Sequence, residues 1–109
     1  MLEPTPLEHA RAVKLRLRAA SEKATEARKN WASARTQCID ANYWTSTTMR
    51  DVVSDLTMDM WAAEHALAAI AEEWRACLAA RAAMPKAERW NLAGVERWAE
   101  IAAVMERQP

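Results

Sequence analysis

Apolar side chains recur along two stretches of this chain at steps of three and four residues, with polar and charged residues between them. The first row runs Ala10, Val13, Leu17, Ala20, Ala24, Ala27, Trp31, Ala34, Cys38. The second runs Met49, Val53, Leu56, Met60, Ala63, Leu67, Ile70, Trp74, Cys77, and Met84 extends it. Alternating steps of three and four keep side chains on one seam of an α-helix, so the spacing predicts two long helices, at about 6–40 and 47–84. The rows mesh when one is reversed. Ala10 meets Cys77, Val13 meets Trp74, Leu17 meets Ile70, and so on to Cys38 with Met49, the numbers of each pair adding to 87. Small residues on one row mostly face large ones on the other, which fills a core without voids. The pattern predicts an all-α fold built on a long antiparallel helical hairpin whose turn is centred between Tyr43 and Trp44.

The punctuation of the chain agrees. Thr5-Pro6-Leu7-Glu8 is a helix start, with a capping hydroxyl, a proline suited to the first turn and a capping-box glutamate. Residues 41–46 read as the connection. Thr47 or Thr48 can cap the second helix, with Asp51 near its positive end. Pro85 ends that helix. A shorter third helix is expected within 86–107, although Asn91 and Gly94 blur its start. Its apolar surface would come from Trp90, Leu92, Val95, Trp98, Ile101, Val104 and Met105. At helical rise it covers about half the hairpin, so it should pack at the open end, leaving three helices there and two towards the turn.

Composition narrows the class further. The 109 residues suit one small domain, 1–109, and 25 alanines with one glycine favour helix throughout. Lysine plus arginine equal aspartate plus glutamate at 15 each, so the chain as a whole is not an electrostatic nucleic-acid binder. The charge is nonetheless uneven, with eight cations against four carboxylates in residues 1–35 and seven against eleven in 36–109. No apolar run has the length of a membrane span or a signal-peptide core, and the expectation is a small soluble cytoplasmic protein.

Residues with reactive side chains are scattered rather than grouped. In the hairpin register Cys38 lies beside the turn and Cys77 near the open end, too far apart for a disulfide, and both read as small core hydrophobes. His9 and His65 belong to no HExxH or Glu-x-x-His spacing, and no Cys-x-x-Cys occurs. There is no glycine-rich phosphate loop. The expectation is no enzyme, no catalytic residues, no cofactor and no metal. Arg11, Lys14 and Arg18 form a candidate basic patch on helix 1, to be weighed against ordinary solubilising charge.

Tryptophan and methionine say more. Trp31 and Trp74 lie on the seam, whereas Met58 and Trp61 lie off it and Tyr43 and Trp44 occupy the turn. Tyr43, Trp44, Met58 and Trp61 are therefore the candidate partner-binding residues, and Asp51, Asp55 and Asp59 a candidate acidic rim beside them. A helical hairpin over residues 6–84 with Trp44 in the turn resembles the WXG100 family of small secreted bacterial proteins. Ser46 stands where that family has glycine, the helix after Pro85 is extra, and no Tyr-x-x-x-Asp/Glu export motif follows.

Three functional expectations follow. The first is a non-enzymatic interaction module, in the class of small phage- or mobile-element-type (anti-CRISPR-like) inhibitors, that binds a host protein through an exposed helical face. The second is a structural homo-oligomer of WXG100-like shape, a homodimer at its simplest. The third, nucleic-acid binding through helix 1, is disfavoured, and no membrane partner is expected. The seam has its own test. Ile70→Asp buries an unpaired charge and should abolish cooperative unfolding by circular dichroism, whereas a melt near that of the wild type would refute the assignment.

Overall fold

A computed structural model describes residues 3–40 and 47–107. The fold is all-α, with α1 at Pro6–Asp40, α2 at Thr47–Ala83, a 3-10 turn at Lys86–Glu88 and α3 at Leu92–Glu106. The helix ends follow from local chemistry. Thr5 Oγ1 accepts from the Glu8 amide at 3.1 Å, and the Thr5 carbonyl accepts from the His9 amide at 2.9 Å, opening α1. Asn91 Oδ1 accepts from the Gly94 amide at 3.0 Å, so the two residues that blur the start of α3 in sequence are the ones that build it.

The end of α2 is closed by arginines instead of glycine. Arg89 donates from Nε to the Met84 carbonyl and from Nη2 to the Ala82 carbonyl, both at 3.0 Å, satisfying acceptors that a helix terminus leaves open. Arg81 Nε donates to the Trp90 carbonyl at 2.7 Å, tying the chain beyond the 3-10 turn back to the helix.

The chain divides into two compact units, residues 1–19 with 68–109, and residues 20–67. In the first unit, the beginning of α1 packs antiparallel to the end of α2, and α3 packs on both. Its buried cluster is Ala10, Val13, Trp74, Cys77, Trp90 and Val95, with Leu7, Leu17, Ile70, Leu78, Met84 and Leu92 packed around it. The indoles of Trp74 and Trp90 meet with centroids 6.0 Å apart at a 47° tilt. Lys14 faces Glu96 and Arg18 faces Glu100, so α3 runs parallel to α1.

In the second unit, the rest of α1 packs antiparallel to the first part of α2 over Ala24, Cys38, Val53, Met60 and Ala63, all buried. Trp31 is half-buried, and its Nε1 donates to Thr57 Oγ1 at 2.9 Å. That hydroxyl in turn donates to the Val53 carbonyl at 2.8 Å. Arg28 bonds Glu64 across the pair, with Nε at 3.0 Å from Oε1.

The seam is observed as the pattern predicts, since every residue of both rows from Ala10 to Cys38 and from Met49 to Met84 is buried or half-buried. Helix α3 differs from expectation. Trp90, Val95 and Ala99 are buried and Leu92 and Trp98 half-buried, but Ile101, Val104 and Met105 are exposed. The helix has apolar side chains around most of its circumference. The face that packs is the one where Ala99, Ala102 and Ala103 follow Val95, because small residues admit a closer neighbour.

Removing one indole of the Trp74–Trp90 contact should be costly. Trp90→Ala is expected to lower unfolding free energy by about 3–5 kcal/mol. Denaturant titration checks this, and a loss below about 1 kcal/mol would place Trp90 outside the core.

Candidate functional site

The basic patch of α1 faces α3. Lys14 Nζ lies 3.9 Å from Glu96 Oε1 and 4.8 Å from the centroid of the Trp74 ring, with only 17% of its side chain exposed. Arg18 Nη1 lies 3.6 Å from Glu100 Oε1, and the Arg11 guanidinium stands 5.4 Å from the Trp98 ring. The Nε atoms of Arg11 and Arg18 are buried without hydrogen-bond partners. These cations thus have carboxylates and indole faces of their own chain as neighbours, contacts whose strength grows as water is excluded. Arg16, also on α1, pairs with Glu73 of α2 at 3.1 Å.

The candidate binding residues of α2 lie in the second unit. Trp61 is 53% and Met58 59% exposed, one helical turn apart on the side of α2 away from the buried seam. Val52 is exposed on the same helix. Asp51, Asp55 and Asp59 are exposed at four-residue intervals beside Met58, and among the described residues none of the three has an ion pair. Beyond the aspartates, an open groove of about 330 Å³ runs between α1 and α2, lined by Ala20, Lys23, Ala27, Asp59, Ala62, Ala63 and Ala66. Tyr43 and Trp44 lie outside the described residues.

Comparison with protein-family models, curated proteins and solved structures finds no match to this chain. The functional reading therefore rests on the geometry.

A second exposed apolar face, which sequence reasoning assigned to packing, belongs to α3. Ile101, Val104 and Met105 are 54%, 55% and 67% exposed and, with Glu100, line a shallow hollow in the first unit. The signal that could have found it is the alanine run at 99, 102 and 103, which marks the opposite side of α3 as the one for close packing.

Both cysteines are free and buried. Burial, and secondarily the Glu73 carboxylate, push the Cys77 thiol up from its ordinary range, which disfavours the reactive thiolate. Among the described residues no three His, Cys, Asp or Glu side chains gather as metal ligands would. Also among them, no helix is long and apolar enough to cross a membrane.

If Trp61 serves the surface and not the core, Trp61→Ala should leave unfolding free energy within about 0.5 kcal/mol of wild type. Thermal melts followed at 222 nm check this, and a loss comparable to that of Trp90→Ala would make Trp61 a packing residue.

Proposed function

We propose that this protein is a non-enzymatic interaction module that binds a partner protein through the exposed face of α2 centred on Met58 and Trp61. The observation that carries the reading is a half-exposed tryptophan beside a half-exposed methionine on a regular helix whose other side is packed. Keeping a large indole in water forgoes the benefit of burying it, and tryptophan is the residue most concentrated in binding hot spots. A module of this kind acts by occupying a surface, and an inhibitor of the phage or mobile-element type needs nothing more. The engagement of Arg11, Lys14 and Arg18 with α3 weighs against a nucleic-acid partner.

One observation favours a second reading, a homo-oligomer. The Ile101, Val104 and Met105 face of α3 is also apolar and open. Sedimentation separates this from the first reading, since a monomer whose mass does not change with concentration would remove it.

The main reading is tested by affinity capture from a nuclease-treated lysate of the source organism, comparing wild type with Met58→Ala/Trp61→Ala. The expected result is a protein retained by the wild type and lost from the double variant while helicity is unchanged. Recovery of nothing that distinguishes the two would overturn the reading.

A further inference from the structure

The aspartate row beside Met58 bears on the chemistry of the partner. Elsewhere on the helices Glu64 faces Arg28, Glu73 faces Arg16, Glu96 faces Lys14 and Glu100 faces Arg18. Asp51, Asp55 and Asp59 have no such cation among the described residues, although they lie at the spacing that brings side chains together on a helix. Like charges four residues apart repel, and the positive end of the helix dipole is close enough to offset that only for Asp51. Between Thr47 and Leu67 the cation on α2 is Arg50, against four carboxylates of which Arg28 takes one. The apolar surface of Met58 and Trp61 is thus bordered on one flank by carboxylates that have no ion pair among the described residues, with Lys23 across the groove from Asp59.

We infer that this face docks a helical segment of a partner protein, apolar on one side and carrying lysine or arginine along its flank. The inference rests on the proposed interaction role and names its chemistry. An apolar stripe laid on Met58 and Trp61 would bring flanking cations to Asp51, Asp55 and Asp59, where opposite charge sets register and speeds encounter. The groove beyond Asp59, with Ala62 and Ala66 in its lining, gives such a segment room to lie close. A second copy of the chain is a poorer occupant. In an antiparallel two-fold pairing of this face with itself, the aspartate rows of both copies fall on the same flank and repel.

The test is selection of a displayed library of random amphipathic helical peptides on the full chain, keeping clones that bind wild type and not Trp61→Ala. Circular dichroism confirms that every variant is folded. The expected clones have net positive flanks. Asp55→Lys/Asp59→Lys should weaken them roughly tenfold, added salt should weaken them too, and selection on that variant should turn to acidic flanks. Trp61-dependent clones with neutral or acidic flanks would overturn the inference and leave the interaction role standing. Absence of any Trp61-dependent clone would overturn both. A wild-type dimer that Trp61→Ala converts to monomer would assign the face to a second copy and overturn the inference.

Discussion

The first unit depends on the contact between Trp74 and Trp90. Trp74 belongs to α2 and Trp90 to the segment leading into α3, and Ala10 and Val13 of α1 complete the same buried cluster. Cations stand over both rings, Lys14 at 4.8 Å from the Trp74 centroid and the Arg81 guanidinium at 5.4 Å from that of Trp90. Each ring is thus hydrophobic filling on one side and an electrostatic partner on the other. A leucine here would keep the apolar contact and lose its hold on the cations.

That use of charge explains an apparent inconsistency in the chain. Its basic beginning suggests a polyanion partner, yet Lys14 and Arg18 meet glutamates of α3 four residues apart, matching their own spacing. Arg11, Lys14 and Arg18 thus find their neighbours on α3, within the chain. The carboxylates at the start of α2 have no counterpart, so the balanced formal charge of the whole chain hides a local excess of negative charge.

The seam was legible in sequence because its two rows constrain each other. A shift of one residue in either row would have brought polar side chains inward. The helix start at Thr5 was legible as short-range hydrogen-bonding chemistry, whereas at Asn91 the nearby Gly94 obscured the same chemistry. The packed side of α3 was not legible from hydrophobicity. Ile101, Val104 and Met105 are as apolar as Val95, and the choice between faces turned on Ala99, Ala102 and Ala103, whose contribution is the space they leave. Cation–ring contacts were legible only in part, since the register that sets Val13 against Trp74 brings Lys14 close but does not say that its ammonium turns onto the ring. Met58 and Trp61 were legible as off-seam residues, and their exposure in the second unit agrees with that placement.

The arginine closure at the end of α2 bears on the order in which the first unit assembles. Arg89 reaches Met84 and Ala82 across five and seven residues, and Arg81 reaches Trp90 across nine. The Arg16–Glu73 contact of the same unit spans 57 residues. Closing a short loop sacrifices less chain entropy than closing a long one, so the α2–α3 corner is the cheaper structure to form first. On loop-closure entropy alone, the Arg16–Glu73 contact is the costliest of these to form. The α2–α3 corner thus carries its own local ties, and Lys14 and Arg18 of α1 meet the glutamates that this corner presents.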